Sequence, residues 1–366
     1  MNTQAKEQNI PDAAPAERVR VAITQGDTNG IGWEVILKTF SEPAMLEICT
    51  PIIYGHAKVA DFHAKHLGLN VPLRVVAEAE DAAAGHVNLV NCDNDEVKVE
   101  FGKLSSEAGH AAFQALEQAT QDLQAGLADV LVTAPIHKAN IQSANFRFPG
   151  HTEYLQDRLG TEETSPLMIL MNEMMRVALV TVHIPISEVA FAVTEERIAE
   201  KVRLLFESLR RDFCVSAPRI AVLALNPHAG DHGVIGQEEE EVISPAIKSL
   251  VEAGLPCYGP FAADGFFASG MYRKFDGILA MYHDQGLAPF KALAGGEGVN
   301  FTAGLPFVRT SPDHGTAYDV AGMGVASERS MRQAIYAAID AWRNRKRYEE
   351  AYKDPLPKIY QERKER

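Results

Sequence analysis

The chain has few of the features that mark secreted, membrane-spanning or repetitive proteins. Its 366 residues include only four cysteines, widely separated and without a CxxC pair, which argues against a disulfide scaffold. No apolar run is long enough to cross a membrane, and we find no internal repeat or low-complexity segment. Residues 1–17 are polar throughout, so they predict a disordered leader rather than a signal peptide. Together these absences favour a cytoplasmic protein with reduced cysteines.

An excess of positive charge is also missing. The formal net charge is −14 at pH 7, which argues against a nucleic-acid or anionic-membrane partner. The cations from Arg343 onward are interleaved with acids, a pattern typical of a solvated helix. With 46% hydrophobic and 23% charged residues, the composition is that of a soluble enzyme. An anionic substrate of such a chain has to bind in a locally positive pocket.

Apolar runs alternate with amphipathic stretches along the chain. The runs suit strands buried on both faces of a mostly parallel sheet, and the alternation predicts a doubly wound α/β fold. Residues 87–103 predict a hairpin-like insertion. The predicted strands are residues 19–24, 51–54, 129–133, 177–182, 220–225 and 277–281. The predicted helices are residues 33–40, 107–124, 195–211, 239–252 and 330–343.

Four of the apolar runs end beside a histidine. The four histidines are His137, His183, His228 and His283. Ligands of open α/β sheets bind outside the carboxyl ends of the strands, so these imidazoles are candidates to converge on one site. Each histidine taken alone is better explained by a hydrogen-bonded structural role than by metal binding.

Residues 282–316 are the segment richest in chemistry. Charged, amide and imidazole side chains occur there among six glycines, after the apolar run 277–281. Glycine lets a loop approach a ligand closely, and functional loops lie on rigid strands. The segment therefore predicts an active-site wall that binds an anion. The polar residues on which this prediction rests are His283, Asp284, Lys291, Asn300, Arg309, Asp313 and His314.

Shorter motifs carry weaker signals. The glycine turn 26–32 is neither a GxGxxG nor a Walker motif, and either anion binding or a tight turn explains it. Residues 133–138 and 150–153 offer hydroxyl, imidazole and ammonium donors that suit a phosphate or carboxylate. The acidic run 238–241 is expected to complement a helix dipole, whereas His228 in the preceding turn has no evident packing role.

Taken together, the motifs resemble those of the 4-hydroxythreonine-4-phosphate dehydrogenases. They occur in the family's order as ITQGDTNGIG, TAPIHK, FPGHTEYL, NPHAGDHGVIG, MYHDQGLAPFK and GVNFTAGLPFVRTSPDHGTA, across residues 20–340. The resemblance implies the two-lobed fold of isocitrate and isopropylmalate dehydrogenases, a cleft between the lobes, and a homodimer. Residues 18–135 with 308–350 would form the cofactor-side lobe. Residues 136–307 would form the lobe with the metal ligands and dimer interface, and residues 351–366 a charged tail.

The resemblance also implies roles for individual residues. It implies one divalent metal ion on His183, His228 and His283, with one ligand from the partner subunit; zinc suits imidazoles best, and magnesium or cobalt stays open. Lys291 is the expected proton acceptor, with Asp264 or Asp284 as alternatives. The expected substrate-binding residues are His151, Thr152, Lys291, Asn300 and Arg309. The expected NAD-binding residues are Gly298, Asp313, His314, Gly315 and Thr316.

The implied reaction is NAD-dependent oxidation of 4-phosphooxy-L-threonine in pyridoxal 5′-phosphate biosynthesis. The β-keto acid formed would decarboxylate to 3-amino-2-oxopropyl phosphate. The alternatives are oxidation of 4-phosphothreonate or 4-phosphoerythronate, or phosphate acyl transfer on the same fold. The chain departs from the family's usual turn at Thr28, Asn29 and Trp33, and we expect these residues to alter the floor of the cleft.

Overall fold

The computed structural model describes residues 18–93, 96–143, 145–161 and 164–354. The predicted leader, residues 1–17, and residues 355–366 of the predicted tail lie outside this part of the chain. No helix in the described ranges is long and apolar enough to cross a membrane. All four cysteines are unpaired.

One twelve-stranded sheet forms the centre of the described structure. Its order is β3-β4-β2-β1-β5-β12-β11-β6-β7-β10-β8-β9. Neighbouring strands are parallel except for three antiparallel pairs in the middle, β12 with β11, β11 with β6, and β6 with β7. The strands are β1 (Val19–Thr24), β2 (Cys49–Gly55), β3 (Leu73–Val76), β4 (Val87–Asn91), β5 (Val130–Thr133), β6 (Leu167–Met171), β7 (Arg176–Leu179), β8 (Ile220–Leu223), β9 (Cys257–Phe261), β10 (Gly277–Ala280), β11 (Val299–Ala303) and β12 (Val308–Pro312).

Helices flank the sheet because each offers it an apolar face. Helix α7, for example, buries Ile198, Val202, Leu205 and Leu209, whose spacing of three or four residues puts them on one side. Thr194 caps its first turn by accepting a hydrogen bond from the Arg197 backbone. The helices are α1 (Gly32–Phe40), α2 (Met45–Ile48), α3 (Ala57–Leu67), α4 (Ser106–Gln124), α5 (His151–Leu159), α6 (Ile186–Ala192), α7 (Glu195–Arg211), α8 (Ser244–Glu252), α9 (Ala263–Ala268), α10 (His283–Ala294) and α11 (Arg329–Tyr352).

The predicted fold class is confirmed: the structure is an α/β fold with a mostly parallel sheet and helices packed on it. Every predicted strand and helix overlaps an observed one. The predicted hairpin at residues 87–103 is wrong, because β4 pairs in parallel with both β2 and β3. The described residues that follow β4, up to residue 103, form no strand that returns along it.

Candidate active site

A cavity of about 300 Å³ lies where the two halves of the sheet meet. The loops after β5 and β12, the start of α5, strand β6 and helix α10 all contribute to its wall. The polar residues that line it are Thr133, Lys138, His151, Thr152, Glu153, His183, His283, Lys291, Asn300, Arg309, Ser311, Asp313 and His314.

Helix α10 supplies one face of the cavity. His283, Leu287 and Lys291 are four residues apart, so they lie along one side of the helix, and all three line the cavity. Gly286 allows the helix to sit close to the sheet. A Cβ atom there would be 2.8 Å from Val177 Cγ1, nearer than real Cβ contacts. The position of His283 and Lys291 therefore depends on this close approach.

Arg309 is the most deeply buried cation of the cavity. Its side chain is 3% exposed; Nη2 donates to Thr133 Oγ1 at 2.6 Å and Nη1 to Thr302 Oγ1 at 3.1 Å. Burial lowers the pKa of the guanidinium to about 10, while Glu153 opposes this shift, so Arg309 stays charged near neutral pH. Its Nε is buried without a hydrogen-bond partner. This leaves donors that an anionic ligand can use.

Two further polar groups on the cavity wall have unused hydrogen-bonding atoms. His151 Nε2 and Asn300 Oδ1 are both buried without a partner. Burial, followed by the positive charges of Arg309 and Lys138, holds the pKa of His151 well below its usual value, so the imidazole is neutral. Buried polar atoms normally find partners, so unpaired atoms on a cavity wall indicate a ligand-binding surface.

Two imidazoles lie side by side at the cavity. The ring centroids of His183 and His283 are 5.9 Å apart. Burial lowers the pKa of His183, and Lys138 and His283 add to this shift, which favours the neutral form that binds metal ions. His283 Nδ1 lies 2.6 Å from Asp284 Oδ1, which leaves Nε2 for another partner. Asp284 itself points largely into solvent, with 84% of its side chain exposed.

His228 is not part of this pair. It is exposed, it does not line the cavity, and it lies in a left-handed turn after β8. Among the residues that the structure describes, no three His, Cys, Asp or Glu side chains of one chain are grouped so as to hold a metal ion. Within one chain, therefore, His183 and His283 lie together, and His228 lies apart from them.

Lys291 forms an ion pair with Asp313. Lys291 Nζ lies 3.3 Å from Asp313 Oδ1. Burial raises the pKa of Asp313, against the opposing effect of Lys291. A second cavity of about 210 Å³ shares Lys291, Asp313 and His314 with the first and is also lined by Gly298. His314 Nε2 is buried without a partner. Two cavities thus meet at the Lys291–Asp313 pair.

The remaining predicted residues are further from the cavity or only partly in it. Gly315 lines it and has open space where a side chain would be. The backbone of Thr316 instead accepts a hydrogen bond from Ile31 N, and Thr316 does not line the cavity. Asp264 is exposed on α9, and it does not line the cavity of its own chain either.

The departures from the family's turn do not reach the cavity. Thr28, Asn29 and Trp33 are all fully buried, and none of them lines it. Trp33 Nε1 donates to Gln25 Oε1 at 3.1 Å, within the packing of α1. The expectation that these residues alter the cleft floor is therefore wrong. Their side chains pack inside the protein, because the turn between β1 and α1 is buried.

Lys138 and Glu153 line the cavity but were not predicted individually from the sequence. Both belong to motifs that were predicted as possible anion sites. Sequence reasoning also misread Glu239. That carboxylate is 3% exposed and accepts hydrogen bonds from the backbone of Leu225 and Asn226, so it does more than complement a helix dipole. No spacing rule in the sequence distinguishes Glu239 from its acidic neighbours.

A mostly parallel sheet with a polar cavity beside its strand ends is the arrangement of an α/β enzyme. The family described as pyridoxal phosphate biosynthetic protein PdxA matches residues 47–338. A 4-hydroxythreonine-4-phosphate dehydrogenase of Bacteroides thetaiotaomicron is 60% identical over 348 residues, which cover 95% of each chain. The chain belongs to the PdxA family, and the resemblance found in its sequence is confirmed.

Two other relatives show how the family varies. A D-threonate 4-phosphate dehydrogenase of Cupriavidus necator is 38% identical over 86% of this chain and 95% of its own length. The crystal structure of a 4-hydroxythreonine-4-phosphate dehydrogenase from Klebsiella pneumoniae has a TM-score of 0.76 at 32% identity. That comparison covers 90% of this chain and 100% of the other.

Proposed function

We propose that this chain is an NAD-dependent dehydrogenase that oxidises 4-phosphooxy-L-threonine. The observation that carries the proposal is one cavity in which a pair of imidazoles adjoins a buried arginine, a lysine and two unpaired polar atoms. The 60% identical relative bears the name of this activity. A chain of net charge −14 needs local cations to hold a doubly charged phosphate ester, and Lys138, Lys291 and Arg309 line this cavity.

The donor set supports a divalent metal ion. His183 and His283 of one chain are adjacent, burial favours the neutral form of His183, and His228 of a second copy would be the third ligand. Zinc is the ion that three imidazoles suit best, with magnesium or cobalt as alternatives. Once bound, the cation stabilises negative charge on the substrate oxygen and polarises the carbonyl product. Asp284 orients the His283 ring through its contact with Nδ1.

The anionic ends of the substrate are held by the chain's own donors. Arg309 offers a planar set of N–H groups, fixed by its hydrogen bonds to Thr133 and Thr302. His151 presents its unpartnered Nε2 and Thr152 a hydroxyl at the start of α5, while Asn300 Oδ1 is free to accept a hydrogen bond from a hydroxyl or amine of the substrate. These groups orient the hydroxyl-bearing carbon within the cavity.

Lys291 is the group that we assign to exchange the hydroxyl proton, with Asp284 or Asp264 as alternatives. It faces the cavity from α10, and Asp313 fixes its ammonium group. Lys291 would take the proton from the hydroxyl oxygen, and NAD, when bound, would supply the acceptor for the hydride that leaves the hydroxyl-bearing carbon. Asp313, His314, Gly315 and Gly298 line the two joined cavities, where NAD would lie. The resulting β-keto acid loses CO₂ to give 3-amino-2-oxopropyl phosphate.

We also propose a homodimer whose two active sites are shared. Support comes from His228, which is exposed away from its own cavity, and from apolar side chains on α6 next to His183. Ile186 is 72% exposed and Phe191 87% exposed, values that suit a covered surface better than a solvated one. The strand order supports two lobes, 18–135 with 308–350 and 136–307. A cytoplasmic location stays a prediction from composition.

The test is an assay of NAD reduction over a panel of phosphorylated hydroxy acids. We expect the highest kcat/KM with 4-phosphooxy-L-threonine, and loss of turnover on treatment with a chelator. The second candidate is 4-phosphothreonate, favoured by the Cupriavidus necator relative, and 4-phosphoerythronate belongs in the same panel. Chelator-resistant phosphate acyl transfer without NAD reduction would instead support the acyltransferase alternative and refute the proposal.

A further inference from the structure

The turn that carries His228 has a strained backbone. Five consecutive residues, 228–232, have positive φ angles between 43° and 78°, and only Gly230 among them is a glycine. Side chains of L-residues disfavour this left-handed conformation. Such a run persists only where the surrounding structure imposes it, and it is typical of functional sites.

A buried carboxylate holds the base of this turn. Glu239 Oε1 accepts hydrogen bonds from Leu225 N at 2.8 Å and Asn226 N at 2.7 Å. Its Oε2 accepts from Asn226 Nδ2 at 2.9 Å. Asn226 Nδ2 also donates to Glu238 Oε2 at 2.7 Å. Glu239 is 3% exposed, so these hydrogen bonds are protected from water and correspondingly strong.

Two glycines of the turn make room for this contact. A Cβ at Gly230 would lie 2.6 Å from Glu239 Oε2, and a Cβ at Gly236 would lie 2.4 Å from Asn226 Nδ2. Glu239 also begins a π-helical turn, Glu239–Ile243, which offsets it from the regular helix α8 that follows. π-Turns inside helices are frequent at functional sites. Two glycines and an irregular helix thus accommodate one carboxylate.

We propose that Glu239 is a positioning residue for His228. Its carboxylate fixes residues 225 and 226, where the chain leaves β8, and thereby holds the turn in the left-handed path that presents His228 outside its own cavity. This proposal rests on the proposed function, in which His228 binds the metal ion of a second copy. It adds that Glu239 holds His228 in its binding position before the metal ion binds.

The first test compares zinc affinity in three variants of the full-length protein. Glu239→Gln keeps the shape of the side chain, but its amide nitrogen then faces the amide of Asn226, donor against donor. We expect zinc binding to weaken by about 10- to 100-fold, the range for residues that orient metal ligands. His228→Ala should lose at least as much. Glu241→Gln removes the same charge from an exposed residue of the same acidic run and should bind zinc like the parent.

The second test is a rescue. Glycine adopts the left-handed conformation freely, so Ala229→Gly removes part of the strain at a residue with φ of 53°. Added to Glu239→Gln, it should restore part of the lost zinc affinity. A residue that only raised global stability should not change the zinc affinity of a folded variant, so neither the loss nor the rescue would then be seen. The affinities are measured by competition with a chromophoric chelator, at a temperature where circular dichroism shows each variant to be folded.

The possible outcomes distinguish a failure of the proposed role of Glu239 from a failure of the proposed metal site. Parental zinc affinity in Glu239→Gln, with weak binding in His228→Ala, would overturn the role of Glu239 and leave the proposed metal site intact. Parental affinity in His228→Ala would overturn the metal site and with it this proposal. If Glu239→Gln fails to fold, Asn226→Ala replaces it, since that change removes only the side-chain half of the contact. Parental affinity in folded Asn226→Ala would then count against the proposal.

Discussion

At the scale of single residues, Arg309 determines how the cavity holds an anion. Its guanidinium is held in place by two threonine hydroxyls, and its charge survives burial. Lysine would keep the charge but lose the planar pair of donors. We expect Arg309→Lys to raise KM by roughly 10- to 100-fold, equivalent to about 1–3 kcal/mol for charged hydrogen bonds, with a smaller change in kcat. Steady-state kinetics would measure this, with exposed Arg347→Lys as control.

Substitution of Lys291 tests which group accepts the hydroxyl proton of the substrate. If the neutral amine of Lys291 accepts the hydroxyl proton, the interaction that it provides belongs to the transition state, so Lys291→Met should lower kcat more than it raises KM. The loss should be about 100-fold or more, on the scale of general acid–base catalysis. Should only KM change, Lys291 serves as an anion clamp, and Asp284 or Asp264 becomes the next candidate for the proton.

His63 links the pH to the stability of the fold. The ring is 1% exposed, lies within 2.9 Å of Thr28 O, and has its pKa lowered to about 4 by burial. Between pH 6.5 and 4 the unfolded chain therefore binds a proton that the folded chain does not. The free energy of unfolding should fall over this window as the pH drops, by at most about 3 kcal/mol.

The measurement is urea unfolding across that pH range. His63→Gln keeps an N–H donor for Thr28 O but does not titrate, so the slope should become shallower. His86→Gln, a change at an exposed histidine, should leave the slope unchanged. An unaltered slope in His63→Gln would mean that other groups cause the acid sensitivity.

At the scale of elements, the close packing of α10 against the sheet determines the geometry of the site. In Gly286→Ala the new methyl group would contact Val177, Leu179 and Ala280 at 2.8–3.0 Å, so the helix has to move outward. We expect a loss of about 1–3 kcal/mol in stability from overpacking, together with lower kcat/KM because His283 and Lys291 move. Gly265→Ala on α9 meets open space and should be neutral or stabilising in thermal unfolding. Equal stabilities for the two variants would contradict the close approach.

Most elements were predictable because their signals are local. The apolar runs gave six strands of the sheet, and helices such as α7 have a regular amphipathic period. Strand β4 was misread because a short strand gives no sign of whether its partner is adjacent in sequence or distant. The antiparallel strands β6, β11 and β12 were missed as strands, since β11 and β12 lie within a segment whose polar residues dominate its pattern.

The site residues were predictable where they belong to recognisable sequence motifs. The sequence named His183, His283 and Arg309, and the fold brings all three to one cavity. It gave no sign that Glu239 is buried against residues 225 and 226 while Glu240 and Glu241 are exposed. Burial and pairing depend on contacts between distant segments, which a single sequence does not encode in its spacing.

At the scale of the whole molecule, a shared site predicts complementation between inactive variants. His183 and His283 would come from one chain and His228 from the other, so a mixed dimer of His283→Ala and His228→Ala has one intact site. Random exchange should restore about a quarter of parental activity. Mixing His183→Ala with His283→Ala is the control, since every site in that dimer lacks a ligand. No regain in the first mixture, with subunit exchange confirmed by mass spectrometry, would argue for a site within one chain.

The pairing of β5 with β12 also affects how the protein is made. Val130 on β5 lies opposite Val308 on β12, and α11, which packs on both strands, follows later still. A ribosome therefore releases β1 to β5 long before their last partner exists. Until then, β5 presents an open strand edge of apolar residues, a template for pairing with another nascent chain. The N-terminal half of this protein is thus dependent on its C-terminal end during synthesis, however stable the finished sheet.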